Sequence, residues 1–565
     1  MKALKLFSAA LLLGAMVAVS CKKQAEPVYT ITVDRTAIKD VAANNPGVEA
    51  MVITTDAPSW ILTTPDWVTP DAVFGEGNGK STIVSLTIAS NYKNEATETK
   101  PRSGEIKISG GRTSVSVPIN QLGHKAVIDP NASIGGIPDL KEFMDFVETV
   151  NNGEAPIRWM NDKFEVLLQA DIDLSSVTDW TPIGNVESSG NGNNASNGKG
   201  NAFNFVFDGG GHTIKNFKVT KELSEGQTWG LFGYLSNATV KNLNVEADLT
   251  LTASGAADAG VVAGTAFCST IENVKVNAKI TSTGTSSTKR FAIGGVVGFV
   301  FSSFNLDEGK AYDSYIRNCE VTAEVNLDGG ANLANGATCM MYGGIAAFAT
   351  NIKDESRNHI ENCVNNGTMT VKIGRCSGIC PTANYGTYIE HCTNNASQFN
   401  TIEGGRIGQI CCNLSSYCAV IDCVNNGDLT TTGASTTTGA LVALLGDEAT
   451  KTVFIEGGER TCNTGTILGV TPKYLSLLCA NNNHFDHVSN VILSGKLGVY
   501  KADGNHEMYA VSSSNIMENI GYINPNYASK VTNITYVSPS GEPEPETPKA
   551  GGGIKDLESV NDTWN

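Results

Sequence analysis

The phrase Cys-x-Asn-Asn-Gly returns along this chain, at Cys363-Val-Asn-Asn-Gly367, Cys392-Thr-Asn-Asn-Ala396 and Cys423-Val-Asn-Asn-Gly427, with an echo at Cys462-Asn-Thr-Gly465. Upstream the same column continues as an aliphatic-x-Asn-apolar signature: Ile214/Asn216/Phe217, Val240/Asn242/Leu243, Ile271/Asn273/Val274, Ile316/Asn318/Cys319 and Ile360/Asn362/Cys363. It then degrades to Ile389/His391/Cys392 and Val420/Asp422/Cys423. The steps from one Asn position to the next are 26, 31, 45, 44, 29 and 31 residues. Periods of this size mean a solenoid or an array of supersecondary units, none of which buries its apolar face alone.

The content of one repeat selects the architecture. Before each signature stands a short small-apolar run, such as Gly230-Leu-Phe-Gly233, Gly260-Val-Val-Ala-Gly264, Gly294-Gly-Val-Val-Gly298 or Gly439-Ala-Leu-Val442. After it comes strict alternation, as in Leu243-Asn-Val245-Glu-Ala247-Asp-Leu249-Thr-Leu251, which sends every second side chain to one face. No 3.6-residue periodicity interrupts residues 205–500. A repeat of two or three short strands, closed by Asn-Gly corners that accept positive φ, predicts an all-β chain dominated by a right-handed parallel β-helix over 166–537. Its apolar residues stack in rows, and its Asn column forms an amide ladder along a corner. Ten or so coils at about 4.8 Å each make a rod on the order of 50 Å. The two longest steps exceed one coil, so Ser282 to Arg290, Phe301 to Ala311 and Leu327 to Ala337 are expected to loop out.

A resemblance appears at the start of the repeats. Asp171-Ile-Asp-Leu174, Trp180-Thr-Pro-Ile-Gly184 and Phe207-Asp-Gly-Gly-Gly-His-Thr-Ile214-Lys-Asn-Phe217, followed by Gly-x-x-Gly repeats, resemble the opening of GLUG-type repeat proteins, bacterial surface β-helices that include adhesins. The likeness covers roughly Asp139 to Ser538. Within the linker and cap region 124–165, Leu140, Phe143, Phe146, Val147 and Val150 fall at helical spacing behind Asp139 as N-cap, predicting a short helix that covers the first coil. An uncovered coil is an open sheet edge. The tail 538–565, with Glu542-Pro-Glu-Pro-Glu-Thr-Pro548 and Gly551-Gly-Gly553, has too few apolar residues for a core and is expected to be disordered.

Residues 28–123 follow a different grammar. Short alternating runs (Tyr29 to Val33, Met51 to Thr55, Ser81 to Ala89, Gly104 to Ser109, Ser114 to Ile119), separated by turn residues, predict a small immunoglobulin-like β-sandwich. Ala57-Pro-Ser-Trp60, Asp66-Trp67, Gly75-Glu-Gly77, Asn91, Arg102-Ser-Gly-Glu-Ile106 and Ile119-Asn-Gln-Leu-Gly123 resemble the BACON domain of Bacteroidota surface proteins, for which a carbohydrate-binding role is implied. Trp60 and Trp67 are candidates to stack on a sugar ring. The competing reading is that both fill the sandwich core.

At the N-terminus, Lys2 and Lys5 precede an apolar run from Leu6 to Val19, ending in Ala18-Val19-Ser20-Cys21. This is a secretory signal over 1–20, too short to remain as a membrane span. It resembles bacterial lipoprotein signals, which implies that Cys21 is acylated and that 21–27 form a lipidated tether. The expected location is the outer membrane, through the lipid anchor, with cell-surface display the expectation and the periplasmic face the alternative. Of 14 Cys, removal of Cys21 leaves an odd number, so a complete disulfide framework requires crosslinked chains. The Cys after each Asn stand where other repeats carry Leu, Val or Phe, which reads as a buried Cys row. The alternatives are a metal site from Cys376-x-x-x-Cys380 or Cys411-Cys412, or a few vicinal disulfides.

A net charge of −17 and the absence of Lys/Arg-rich runs beyond Lys22-Lys23 exclude nucleic acid as a partner. The expectation is a non-catalytic, glycan-binding or adhesin-type surface protein, with no cofactor and no metal assigned. Phe301, Phe304 and Tyr312 in the central loops are its stacking residues, alongside Trp60 and Trp67. A polysaccharide lyase or glycosidase is the alternative, and a structural spacer a second one. Glycoside hydrolysis needs two placed carboxylates; Glu361, Glu390, Glu403, Asp422, Asp428, Asp447 and Glu456 read as scattered. His212 reads as structural, and His484-Phe-Asp486-His487 is a weak metal candidate.

Overall fold

Side chains that alternate along a strand, repeated at a fixed period, bury their apolar half when equivalent strands stack in register. In the computed structural model this stacking runs from Val166 to Tyr536, in sheets of 25, 8 and 10 strands in which most strands pair in parallel with their counterparts one repeat later. The structure describes residues 28–537 except 94–98, 125–132, 188–198, 283–288, 306–308, 331–338, 352–354, 435, 447–451, 471–474, 483, 502, 510–521 and 524. Strands hold 56% of the chain and helix 4%, so the protein is all-β. Cys21, the tether and the tail 538–565 lie outside the described residues, as do the central parts of the three expected loops.

The aliphatic column becomes a continuous interior row. Val166, Phe207, Val240, Ile271, Ile316, Ile360, Ile389, Val420, Ile455 and Val488 lie opposite one another in succession. Each is at most 1% exposed. The first repeat differs from the sequence alignment: Ile214 pairs with Ile172 and Val245, so the member before Val240 is Phe207. The alternation on both sides of Ile214 was equally good, and only register separates them.

The Asn column is where the chain turns. Asn216, Asn242, Asn273, Asn318 and Asn362 all have φ between 52° and 56°, and His391, Asp422 and Asn490 keep the same left-handed backbone. Asn, Asp and His are the side chains enriched at positive φ, which accounts for His391 and Asp422 in place of Asn, whereas the repeat at Ile455 carries Gly457 at this place. The expected amide ladder forms only in part along this column, where Asn273 donates to Asn242 at 3.3 Å and Asn533 to Asn490 at 3.0 Å, and is longer in the Asn-Asn pair. Its first member points inward: Asn365 donates to Asn394 at 2.9 Å, Asn394 to Asn425 at 2.8 Å and Asn425 to Asn463 at 2.8 Å, all buried. Its second member points outward and bonds in the opposite sense, Asn426 to Asn395 and Asn395 to Asn366, each at 2.9 Å. The Gly that follows is required by close approach, since a Cβ on Gly427 would stand 2.0 Å from the Ala396 carbonyl oxygen.

The Cys row is interior. Cys319, Cys363, Cys392, Cys423 and Cys462 are at most 2% exposed, and all Cys among the described residues are free thiols. Cys363, Cys392 and Cys423 donate to the carbonyls of Ile316, Ile360 and Ile389 one repeat earlier, at 3.3–3.4 Å. Burial pushes the Cys363 and Cys423 thiols well above their ordinary range.

The helix spans Leu140–Asn151, with the Asp139 carboxylate accepting from the Glu142 amide at 2.9 Å. Phe143, Phe146, Val147 and Val150 form its buried face. Phe146 packs against Trp159, Phe203 and Phe207, and Phe143 stacks on Trp180, so the helix covers the apolar end of the first repeats.

The N-terminal unit consists of two sheets around one core. Ile31–Val33, Val48–Thr55, Ser81–Ile88 and Val68–Pro70 form the first; Ile38–Val41, Thr113–Gln121, Arg102–Gly110, Ser59–Thr63 and Phe74–Glu76 form the second. The two units are not separate beads. Val48, Ala50 and Ile83 pack onto an apolar field of Tyr234, Phe267, Phe299, Phe301, Met341 and Phe348 on the outside of the 10- and 8-stranded sheets. The Asn204 amide donates to the carbonyls of Asn44 and Asn45 across the junction.

Candidate functional site

The candidate binding residues read from the sequence are dispersed. Phe301 is 2% exposed, stacked on Phe267 at 4.4 Å and Phe299 at 5.1 Å under the N-terminal unit. It is a docking residue and has no face for a ligand. Phe304 lies on the strand Val297–Asn305 opposite Ala311, and its side chain is outside the described residues. Tyr312 is half-buried on the short antiparallel return Lys310–Tyr312, with the Lys310 ammonium 4.7 Å from its ring centre. Trp60 is 1% exposed and donates to the Glu76 carbonyl, so it fills the core. Trp67 is half-buried, and the Arg102 guanidinium covers its ring at 4.6 Å. Neither Trp offers a free ring face for a sugar, because core packing and an Arg stack already occupy them.

The Cys candidates for metal are buried. Cys380, Cys411 and Cys412 each donate to a main-chain carbonyl, of Thr382, Asn413 and Cys376. Burial pushes the Cys412 thiol up to about 12, which keeps it protonated and a poor ligand. His484 packs edge-on against Tyr527, whereas His487 bonds Asp486 and Glu456. His212 pairs at 3.5 Å with Asp171 beside its own turn.

The chemistry converges on the outer face of the 25-stranded sheet. Residues on either side of the interior aliphatic row must face outward. Preceding it in register are Tyr315, His359, Tyr388, Ala419, Phe454 and His487; following it are Arg317, Glu361, Glu390, Ile421, Glu456 and Ser489. One strip is therefore aromatic and its neighbour largely acidic. Tyr315 and His359 stack at 4.8 Å with planes 6° apart, Tyr388 stands edge-on to both His359 and Phe454, and Phe454 stacks on His487 at 4.7 Å. All five rings are half-buried, presenting edges and polar atoms to solvent.

His359 is the centre of this ribbon. Its Nδ1 lies 3.1 Å from Glu390 Oε2 and 3.3 Å from Glu361 Oε1, and its Nε2 lies 3.9 Å from Asp313 Oδ2. Among the described residues, His359, Glu361 and Glu390 bring their ligand atoms close enough together to hold a cation. Two acids read as scattered thus meet on adjacent repeats. The missed signal was their common offset, each immediately before the left-handed position at Asn362 or His391. Further along, the burial of Glu456 is outweighed by hydrogen bonds from Ser489 and Asn490 and by His487, which hold its carboxyl below the usual range. Asp422 accepts from Arg460 Nε at 3.1 Å and pairs with His391 at 3.1 Å. Burial, with the charges of Asp313 and Glu361, raises the Tyr315 phenol, which stays a hydrogen-bond donor.

Beside the ribbon, past the corner, a groove of about 990 Å³ runs across the repeats over a floor of Ala247, Ala278, Ala323 and Gly367, with Lys218, Glu246, Asp248, Lys279 and Glu324 as walls. A cleft of about 700 Å³ opens where the N-terminal unit, the end of the helix and the first repeats meet, lined among others by Asn44, Glu49, His124, Asn152 and Asn204. Neither brings together a converging set of catalytic groups.

No family profile matches the chain, and no curated protein matches it. Among solved structures it is similar to a Bacteroides ovatus GH5 xyloglucanase in complex with a XXXG heptasaccharide, at 18% identity over 20% of this chain and 22% of that one, with a TM-score of 0.14. It is also similar to a putative immunoglobulin A1 protease from Bacteroides ovatus, at 18% identity over 71% of this chain and 84% of that one, TM-score 0.32. A third likeness is to an IgA1 protease, at 12% identity over 86% of this chain and 31% of that one, TM-score 0.31. The chain therefore spans about a fifth of the xyloglucanase and under a third of the last protein.

Proposed function

We propose that this chain is a lipid-anchored protein of the cell surface, built as an immunoglobulin-like, BACON-like sandwich followed by a right-handed parallel β-helix of GLUG-like repeats, and that it binds neutral glycans without cleaving them. The observation that carries the reading is the ribbon: five aromatic rings in one register beside Glu361, Glu390 and Glu456. Carboxylates accept pairs of sugar hydroxyls, and the exposed ring edges of the ribbon lie against the apolar C–H surface of a pyranose. A flat flank gives shallow contacts, and many anchored copies convert weak sites into retention through effective concentration. The acidic balance of the ribbon and the chain's charge of −17 disfavour uronates and sulfated chains. The helix-lengths among the described residues include none long and apolar enough to cross a membrane, so attachment in this reading rests on Cys21.

The test is retention of the purified chain on a panel of neutral and acidic glycans, with product masses read from the same incubations. Tyr388→Ala and Phe454→Ala should abolish retention on neutral glycans, and no new reducing or unsaturated ends should form. Retention that survives both substitutions sinks the ribbon as the binding site. New chain ends dependent on Glu361 or Glu390 favour the polysaccharide-cleaving reading. For the anchor, Cys21→Ser should release the protein from the membrane fraction.

A further inference from the structure

We propose that His359 Nδ1, Glu361 Oε1 and Glu390 Oε2 form a binding site for one divalent transition-metal cation, Zn²⁺ in the first instance. Each of the three supplies one donor, and all three donors lie within 4.8 Å of one another. Zn²⁺ binds imidazole nitrogen and carboxylate oxygen at about 2.0–2.2 Å, which makes the edge of a tetrahedral shell about 3.3–3.6 Å. The two edges at Nδ1 measure 3.1 and 3.3 Å. The carboxylate-to-carboxylate edge is the adjustable one, since a rotation within either Glu side chain moves it.

The orientation of the ring points the same way. Stacking on Tyr315 fixes its plane so that Nδ1 faces both carboxylates, while the Asp313 carboxylate, 3.9 Å from Nε2, is outside hydrogen-bond reach and accepts instead from the Arg357 amide at 2.7 Å. A neutral ring with its proton on Nε2 directs the Nδ1 lone pair at two carboxylates, an arrangement that a cation between them relieves. A proton on Nδ1 serves one of the two oxygens well and the other poorly. Arg317, next to Glu361 in register, does not neutralise the cluster, because its guanidinium is drawn to Glu272 at 2.7 Å. The three donors are 18–25% exposed, sheltered on the protein side and open outward, which leaves coordination positions for water or for a ligand oxygen. One nitrogen and two carboxylates suit Zn²⁺ better than Ca²⁺, which takes 6–8 oxygens. His359 and Glu361 belong to one repeat and Glu390 to the next, so the cation ties two repeats together. The assignment does not rest on the glycan reading, because it concerns cation binding alone.

The experiment is calorimetric titration of the full mature chain, free of tag histidines, with Zn²⁺, Ca²⁺ and Mg²⁺, followed by Co²⁺ substitution read in the visible and near ultraviolet. One Zn²⁺ per chain is expected, with a raised melting temperature, and no comparable response to Ca²⁺ or Mg²⁺. Glu361→Gln and Glu390→Gln, surface substitutions of nearly equal shape, should abolish that stoichiometric binding while melting like the parent without metal. Co²⁺ should give d–d bands without a sulfur-to-metal charge-transfer band. The proposal is overturned by the absence of a stoichiometric Zn²⁺ site, by binding that persists in the Glu361→Gln/Glu390→Gln double variant, or by a thiolate band that places the metal on cysteine.

Discussion

Replacing Asn394 by Ala tests whether the buried amide ladder, rather than the repeated Asn-Asn phrase as such, holds the repeats in register. Asn394 is fully buried; its Nδ2 donates to Asn425 Oδ1 at 2.8 Å and to the Ala396 carbonyl at 3.1 Å, and its Oδ1 accepts from Asn365 Nδ2 at 2.9 Å. Truncation leaves the Asn365 amide without its acceptor and removes one of two donors from Asn425 Oδ1, which keeps the Gly427 amide at 3.3 Å. An orphaned buried polar group costs about 1–3 kcal/mol, so the loss should come to about 3–5 kcal/mol once the abandoned volume is included. The control lies one residue away. Asn395 makes ladder bonds of the same length, to Asn366 and from Asn426, but it is exposed, and water replaces the missing partners. Its change to Ala should cost under about 1 kcal/mol. Both variants are compared by guanidinium unfolding, with amide hydrogen exchange to locate any local opening between residues 360 and 430. Equal destabilisation by the two substitutions would falsify the argument, because it would show that burial does not set the value of the ladder.

Cys363→Asp should destabilise the protein by several kcal/mol through a buried charge, and the native Cys363 thiol should react with alkylating reagents far more slowly than after unfolding; fast labelling in the native state refutes the interior row. Glu142 is held at about 2 by hydrogen bonds from Arg158 and then Trp159, well under its ordinary value. A depressed folded value stabilises above the ordinary value near 4.5, and that stabilisation is lost as pH falls toward 2. Glu142→Gln should therefore flatten the acid limb of a melting-temperature profile, and an unchanged slope between these limits counts against the ion pair. Phe301→Asp should loosen the N-terminal unit from the repeats, raising the rate of limited proteolysis between residues 124 and 140 while the repeats keep their β-sheet circular dichroism; an unchanged cleavage rate removes Phe301 from the docking role.

What was legible in the sequence was whatever depends on local spacing. Period-2 alternation and a recurring left-handed Asn dictated strands that stack with an aliphatic row inside, and the Asp139 to Val150 spacing dictated one helix with a defined apolar face. Cys in an aliphatic column read as interior because size and polarity alone decide that placement. Tertiary structure decided everything that depends on which residues from different repeats share a row. Insertions of unequal length separate Tyr315, His359, Tyr388 and Phe454 by 44, 29 and 66 residues, so their alignment emerges only when the sheet closes in register. Register likewise brought Glu361 and Glu390 to one imidazole and moved the first repeat from Ile214 to Phe207. Phe301 looked like a loop aromatic because its own repeat leaves it facing outward. A second unit, about 250 residues away in sequence, covers that face with Val48 and Ala50, and nothing in the local pattern of either segment encodes their meeting.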